Sequence, residues 1–218
     1  MTNILVLCDD HWHPGEVIER GFRGLGKDRY SFDFVMDAKD ILSPEMLDDY
    51  PAIISCKGDY LTSANTAPWF EDGVTEVGVK ELEAYVKGGG GFLSLHSANT
   101  AKAGSAFAGF VGNHFLGHPP RCSIEVKISG KHPVTEGLTD FSIRDEHYNI
   151  ECTAGDRVEL FQTHSETGGR QIGGYVRELG KGRICVMTPG HLLSVWEHPS
   201  YQRLVLNALA WCIRNSAR

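Results

Sequence analysis

No run of apolar residues in this chain approaches the roughly 20 that a membrane-crossing helix needs. Nor does any cluster of lysines and arginines suffice to neutralise a stretch of phosphates. Twenty-one Lys and Arg stand against 28 Asp and Glu, a net charge of −7, which argues against nucleic acid and anionic membrane as partners. The six cysteines contain no C-x-x-C pair. Cys8, Cys56 and Cys185 lie instead in apolar, strand-like runs that suggest buried reduced thiols, the usage expected of a cytoplasmic protein. The opening MTNILVLCDD lacks a basic leader and reads as a first strand, not as a signal peptide. Internal repeats and low-complexity linkers are missing as well, so 1–218 is read as a single domain, large enough to need no disulfide staples.

What is present is an alternation of strand and helix. Ile4 to Cys8 is a continuous apolar run, as in a parallel strand buried on both faces. Pro14 suits a helix start, and Val17, Ile18, Phe22 and Leu25 recur at helical spacing until the Gly24 and Gly26 region. Ser31–Met36 reads as a second strand, Ser43-Pro44-Glu45 as a helix start, and Ala52–Cys56 as a third strand. Val79, Leu82 and Val86 mark an amphipathic helix that Gly88 to Gly91 end before the strand Phe92–Leu95. This is the pattern of a parallel α/β sheet with right-handed crossovers. From Ser123 onward strict alternation sets in at Ile124, Val126 and Ile128, with further short strands at Val158–Phe161 and Ile172–Val176, read as an antiparallel extension of the same sheet. Arg183–Met187 is a last buried strand and Tyr201–Ile213 a closing helix.

Open α/β sheets bind ligands beyond the carboxyl ends of their strands. Three histidine-bearing segments fall there: Asp9-Asp10-His11-Trp12-His13, His96-Ser97-Ala98-Asn99 and Pro189-Gly190-His191. A lone histidine of this kind is more often structural, but three at one edge point to a site. The Gly-rich entry into Phe92-Leu93-Ser94-Leu95-His96-Ser97-Ala98 has the small residues of a sharp turn that exposes a nucleophile. At its apex His96 can serve as acid, base, electrophile or metal ligand, with a ring expected to project into a pocket and carry little packing. Ser97, beside the apex, reads as a helix cap or hydrogen-bond partner. For His11-x-His13 the simpler reading is one ring inward and one in solvent. His13, His96 and His191 together, with Glu146, can supply nitrogen and oxygen ligands to Zn²⁺ or Mn²⁺. Asp145-Glu146-His147-Tyr148 is a dense polar cluster where an acid can orient an imidazole or act as a base, or a solvated turn. His118 and His132 stand beside prolines in loops and read as structural or lid residues, and His198, before Pro199, reads as a loop residue preceding the final helix.

Taken together, these segments resemble the ThuA-like family, named for trehalose utilisation. The resemblance is carried by His13, Gly89-Gly90-Gly91-Phe92-Leu93-Ser94-Leu95-His96-Ser97-Ala98, Lys131-His132-Pro133-Val134-Thr135-Glu136-Gly137-Leu138, Asp145-Glu146 with Tyr148, Gly180-Lys181-Gly182-Arg183, Pro189-Gly190-His191, and the closing His198-Pro199 and Asn207-Ala208-Leu209-Ala210-Trp211. It implies a flavodoxin-like three-layer α/β/α sandwich of the class I glutamine amidotransferase-like type, and a role in sugar metabolism beside oxidoreductases that make 3-keto-sugars. In that fold His96 matches the amidotransferase cysteine and His191 resembles its histidine. Leu193 stands where the triad's Glu would be, so glutaminase activity is not expected.

The expectation is therefore an enzyme acting on a small sugar or keto-sugar as isomerase, lyase or hydrolase. His96, His191 and Glu146 carry acid–base chemistry, with a divalent metal on His13, His96 and His191. His13, Trp12, Ser97, Asn99 and Tyr148 are expected to contact substrate, and Trp12, Trp69, Tyr148 and Trp196 offer faces for a sugar, with core packing an alternative for at least two of these aromatics. The rivals are a non-catalytic sugar-binding or regulatory protein and a metal-dependent hydrolase of another ester or amide. The sequence leaves a homo-oligomer open.

Overall fold

The computed structural model describes residues 1–36, 42–58 and 77–213. The first apolar run forms β1 (Thr2–Leu7), helix α1 (Gly15–Phe22) follows, and then β2 (Tyr30–Val35). Helix α2 (Pro44–Leu47) is capped by Ser43, whose Oγ accepts the Met46 N–H at 3.3 Å. After β3 (Ala52–Ser55) come α3 (Val79–Gly88) and β4 (Gly91–Leu95). The glycine cluster between the last two divides its work: Gly89 ends the helix at φ 124°, while Gly91 already belongs to the strand. A short 3-10 turn, His96–Asn99, leads on to α4 (Ala106–Val111), β5 (Asn113–Gly117), β6 (Cys122–Ile128), β7 (Phe141–Asp145) and β8 (Asn149–Cys152). The chain closes with β9 (Val158–Ser165), β10 (Gly169–Leu179), β11 (Gly182–Met187), α5 (Leu193–Trp196) and α6 (Pro199–Ile213).

Nine strands form one sheet in the order β2-β1-β3-β4-β11-β10-β9-β6-β7. The first five are parallel and the last four alternate in direction, the antiparallel extension that the alternating pattern after Ser123 predicts. Along β1, Ile4 and Val6 enter a core shared with Ile18, Phe22 and Leu204, whereas Leu5 and Leu7 enter a second core with Leu82, Val86 and Phe110. Alternate side chains thus face opposite helical layers, which makes an α/β/α sandwich. Short α4, β5, β7 and β8 were not anticipated. β5 and β8 pair only with each other, and their burial lacks the strict alternation that marks a strand in sequence.

The antiparallel arm bends. Register slips in β10 between Ile172 and Tyr175, and a Cβ at Gly173 or Gly174 would lie 2.5 or 2.4 Å from the Phe161 ring. Two glycines therefore admit the close ring approach at a bulge, where a strand turns most easily. Although β7 stands four places from β11 in the sheet, its last residue, Asp145, touches the loop that leaves β11. A methyl at Gly174 should force Phe161 aside. In denaturant titrations Gly174→Ala is expected to lose about 1–3 kcal/mol. Gly155→Ala, whose added Cβ meets nothing within 4 Å, should stay within about 0.5 kcal/mol of the parent.

Candidate functional site

Strands β1, β4 and β11 run the same way, and the loops at their carboxyl ends bring His13, His96 and His191 together. The ring centroids lie 4.8 Å (His13–His96), 5.1 Å (His13–His191) and 5.5 Å (His96–His191) apart. Glu146, just past the end of β7, completes the group with Oε2 3.3 Å from His191 Nδ1 and 3.7 Å from His96 Nε2. One ligand atom from each of the four falls within 4.8 Å of all the others. His11, two residues before His13, is exposed, as expected for alternate residues of a loop.

Each imidazole is presented by a different device. His13 Nδ1 is 2.6 Å from Asp10 Oδ1, which places the proton on Nδ1 and leaves Nε2 bare. His96 Nδ1 donates to the Thr188 carbonyl at 2.8 Å, again freeing Nε2. Thr188 is itself held to Gly173 of the β10 bulge, its N–H and Oγ both donating to that carbonyl at 2.8 and 3.1 Å. His191 is fixed through its main chain. Asp145 is fully buried, and its carboxylate accepts the N–H groups of Gly190 (2.7 Å), His191 (3.1 Å) and Leu192 (3.2 Å). Among the described residues, His13 Nε2, His96 Nε2 and His191 Nδ1 are buried with no hydrogen-bond partner.

His96 has φ 45°, a left-handed conformation uncommon for a residue with a side chain. Gly190 makes room for it, because a Cβ there would lie 2.9 Å from that of His96. The sharp apex thus exists, but the expectation that its ring carries little packing is corrected. His96 is 1 % exposed and stacks on Tyr148 with centroids 4.3 Å apart. It borders the cluster from below instead of lining the open cavity.

That cavity holds about 580 Å³ and is walled by His13, His191, Glu146, Tyr148, His118 and Trp12, among others. Trp12 is 74 % exposed at its rim. His118, read from sequence as a loop residue, faces Glu146 at 3.5 Å. Burial pushes the Glu146 carboxyl up, but the facing imidazoles of His96, His191 and His118 outweigh it and hold the group below its ordinary range. Burial also lowers His191, favouring the neutral ring, and raises the Tyr148 phenol, with Glu146 adding to the rise. Near neutral pH the cavity therefore presents a carboxylate, neutral His191 and a protonated phenol.

Two residues expected at the substrate stand elsewhere. Ser97 is buried, with Oγ donating to the Cys56 carbonyl at 2.5 Å. Asn99 is fully buried, accepting from Ser94 Oγ at 2.8 Å and donating to the Met187 carbonyl at 3.0 Å. Both tie β4 to its neighbours beneath the site, because the 3-10 turn winds their side chains back into the sheet. Trp196 packs in the core against Phe22, and Trp69 lies outside the described residues. His147 is structural, its ring 2.6 Å from Ser165 Oγ and 3.0 Å from Thr163 Oγ1. The anchoring roles of Asp145 and Asp10 were missed. An acid at a strand end was the only signal available, and it does not say which amides it will meet.

The donor set suits a divalent cation. Three bare imidazole nitrogens and a carboxylate are the mixed ligands that Zn²⁺ or Mn²⁺ accepts.

A mostly parallel α/β/α sheet with a sharp strand-to-turn apex at the carboxyl end of its central strand has the glutamine amidotransferase-like fold. A glutamine amidotransferase from Thermotoga maritima superposes with a TM-score of 0.63 at 13 % identity, covering 98 % of each chain. A ThuA-like protein from Parabacteroides merdae gives 0.77 at 17 %, covering 98 % of this chain and 90 % of that one. A cytoplasmic protein from Salmonella typhimurium gives 0.67 at 14 %, covering 97 % and 99 %. The family model ThuA, described as trehalose utilisation, matches residues 3–212, and the chain belongs to that family. A search of curated proteins returned no match. No helix of the described residues is long and apolar enough to cross a membrane.

If Asp145 anchors the third imidazole, replacing its carboxylate by an amide turns an NH₂ toward main-chain N–H donors. Asp145→Asn is expected to cost about 2–3 kcal/mol in equilibrium unfolding, with largest loss of amide-exchange protection at Gly190–Leu192.

Proposed function

We propose that this protein is an enzyme acting on a small sugar or keto-sugar, with a divalent cation, Zn²⁺ or Mn²⁺, held by His13, His96 and His191 and with Glu146 as the proton-transfer group. The observation that carries the reading is the set of three buried imidazole nitrogens without partners, gathered around one carboxylate. Leaving such atoms bare in a protein interior is costly, and a shared cation satisfies all three at once. When bound, the ion supplies polarisation of a carbonyl or hydroxyl oxygen.

The chain's own residues provide the rest. Glu146, held ionised, takes a proton from the carbon beside a substrate carbonyl, the step shared by isomerisation and elimination of keto-sugars. His191 Nδ1 faces Glu146, and the Tyr148 phenol, kept protonated by burial, can donate to a substrate oxygen. Trp12 at the rim offers the flat apolar face on which a sugar ring stacks, and the cavity has the size of a small-molecule site. The family's description as trehalose utilisation supports a carbohydrate substrate. Six unpaired cysteines fit a reducing compartment, and with the Salmonella relative described as cytoplasmic they support a cytoplasmic location.

Protein purified without chelator should carry about one equivalent of Zn or Mn, and His13→Ala or His191→Ala should abolish it. On a panel of keto-sugars, Glu146→Gln should keep the metal and lower turnover by roughly 10²-fold to 10⁴-fold. Metal far below one equivalent, with no turnover gained on adding divalent ions, would overturn the cation assignment.

A further inference from the structure

We infer that Asp10 is the positioning residue of the cation site, acting through His13. This rests on the reading of the three imidazoles as ligands and adds to it the group that decides how tightly they bind.

Asp10 lies past the end of β1 and is nearly buried, its side chain 9 % exposed. Its Oδ1 accepts the N–H groups of Trp12 at 2.9 Å and His13 at 3.0 Å, and takes the His13 ring at 2.6 Å. Its Oδ2 accepts the Gly58 N–H at 3.2 Å. One carboxylate therefore folds the β1 exit loop, joins it to the exit of β3, and fixes the ring of His13. Among the described residues no lysine or arginine pairs with Asp10; its charge is directed at the imidazole and at main-chain amides.

The consequence for His13 is electronic as well as geometric. A proton on Nδ1, shared with a carboxylate, makes Nε2 the free nitrogen and increases its electron density, so Nε2 becomes a stronger donor to a cation. The other two rings differ: His96 Nδ1 meets a neutral carbonyl, and in His191 the nitrogen beside a carboxylate is the bare Nδ1 itself, 3.3 Å from Glu146, so no carboxylate takes the proton of its second nitrogen. His13 is the one imidazole whose second nitrogen faces a carboxylate at hydrogen-bonding distance, so affinity is most sensitive to Asp10. Trp12 also depends on this residue, because the N–H bond to Asp10 sets the turn that carries the indole to the cavity rim.

The test is calorimetric titration of chelator-stripped protein with Zn²⁺, alongside the visible absorption of the Co²⁺-loaded protein. Asp10→Asn keeps an oxygen acceptor for the His13 ring and removes the charge. It is expected to bind Zn²⁺ about 10-fold to 100-fold more weakly than the parent, with an altered Co²⁺ spectrum and an unchanged far-ultraviolet circular dichroism. Parental affinity and an identical Co²⁺ spectrum in Asp10→Asn would overturn the inference while leaving the cation site standing. Failure of the parent itself to bind Zn²⁺ or Co²⁺ would overturn both, and is a separate result. Long-range ¹H–¹⁵N correlation on the unaltered, metal-free protein is a check that needs no variant to fold. It should show the His13 proton on Nδ1, and a proton on Nε2 would overturn the inference.

Discussion

The site depends on one buried carboxylate that, among the described residues, pairs with no lysine or arginine. Asp145 ends β7 at the far side of the sheet and receives three consecutive main-chain N–H groups from the loop leaving β11. Hydrogen bonds to a buried charge are among the strongest a fold contains, and the penalty for breaking them is the desolvation of that charge. They hold the antiparallel arm against the parallel half, place Glu146 beside the histidines, and orient the main chain of His191. The bend at Gly173 and Gly174 makes the encounter sterically available. The carboxylate makes it unique.

The same bend links packing to chemistry by a short path. Gly173 has no side chain, so the Phe161 ring can press against the strand. Its carbonyl holds Thr188, whose own carbonyl holds the His96 ring. Core packing at the bulge and the direction of the His96 Nε2 lone pair are thus properties of one hydrogen-bonded chain, in a part of the protein where close packing resists small displacements.

Much of this was legible in the sequence because it is local. A continuous apolar run before His96, another before His191 and a third before His13 specify buried parallel strands, and parallel strands carry their exit loops to the same edge. The split of His11 and His13 into one exposed and one buried ring was also legible, since a loop does not hold residues i and i+2 on one face as a strand does. Residues whose position depends on distant partners were not legible in this way. Ser97 and Asn99 look available beside an apex, but the tight 3-10 turn directs them into the sheet. Asp145 and Glu146 are adjacent in sequence and serve opposite ends of the problem, one buried under main-chain amides and the other facing the cavity. Neighbouring residues at a strand end face opposite ways, but which of the two meets the cavity depends on how the arm bends at a bulge without a strong sequence signature. Family membership bridged part of this gap, since it carried Glu146 and Tyr148 into the site without any account of how they arrive there.

The left-handed backbone at His96 has a further meaning. Its φ of 45° is imposed by the strand before it, the turn after it and the absence of a Cβ at Gly190, not by the imidazole. Any non-glycine L-residue placed there meets much the same torsional demand, whether its side chain ends in a ring, a thiol or a hydroxyl. The apex therefore behaves as a fitted socket: the backbone fixes where the side chain points, and the Tyr148 ring and the Thr188 carbonyl select an imidazole to fill it. Exchanging the side chain at this apex therefore changes its chemistry only together with the groups that grip it.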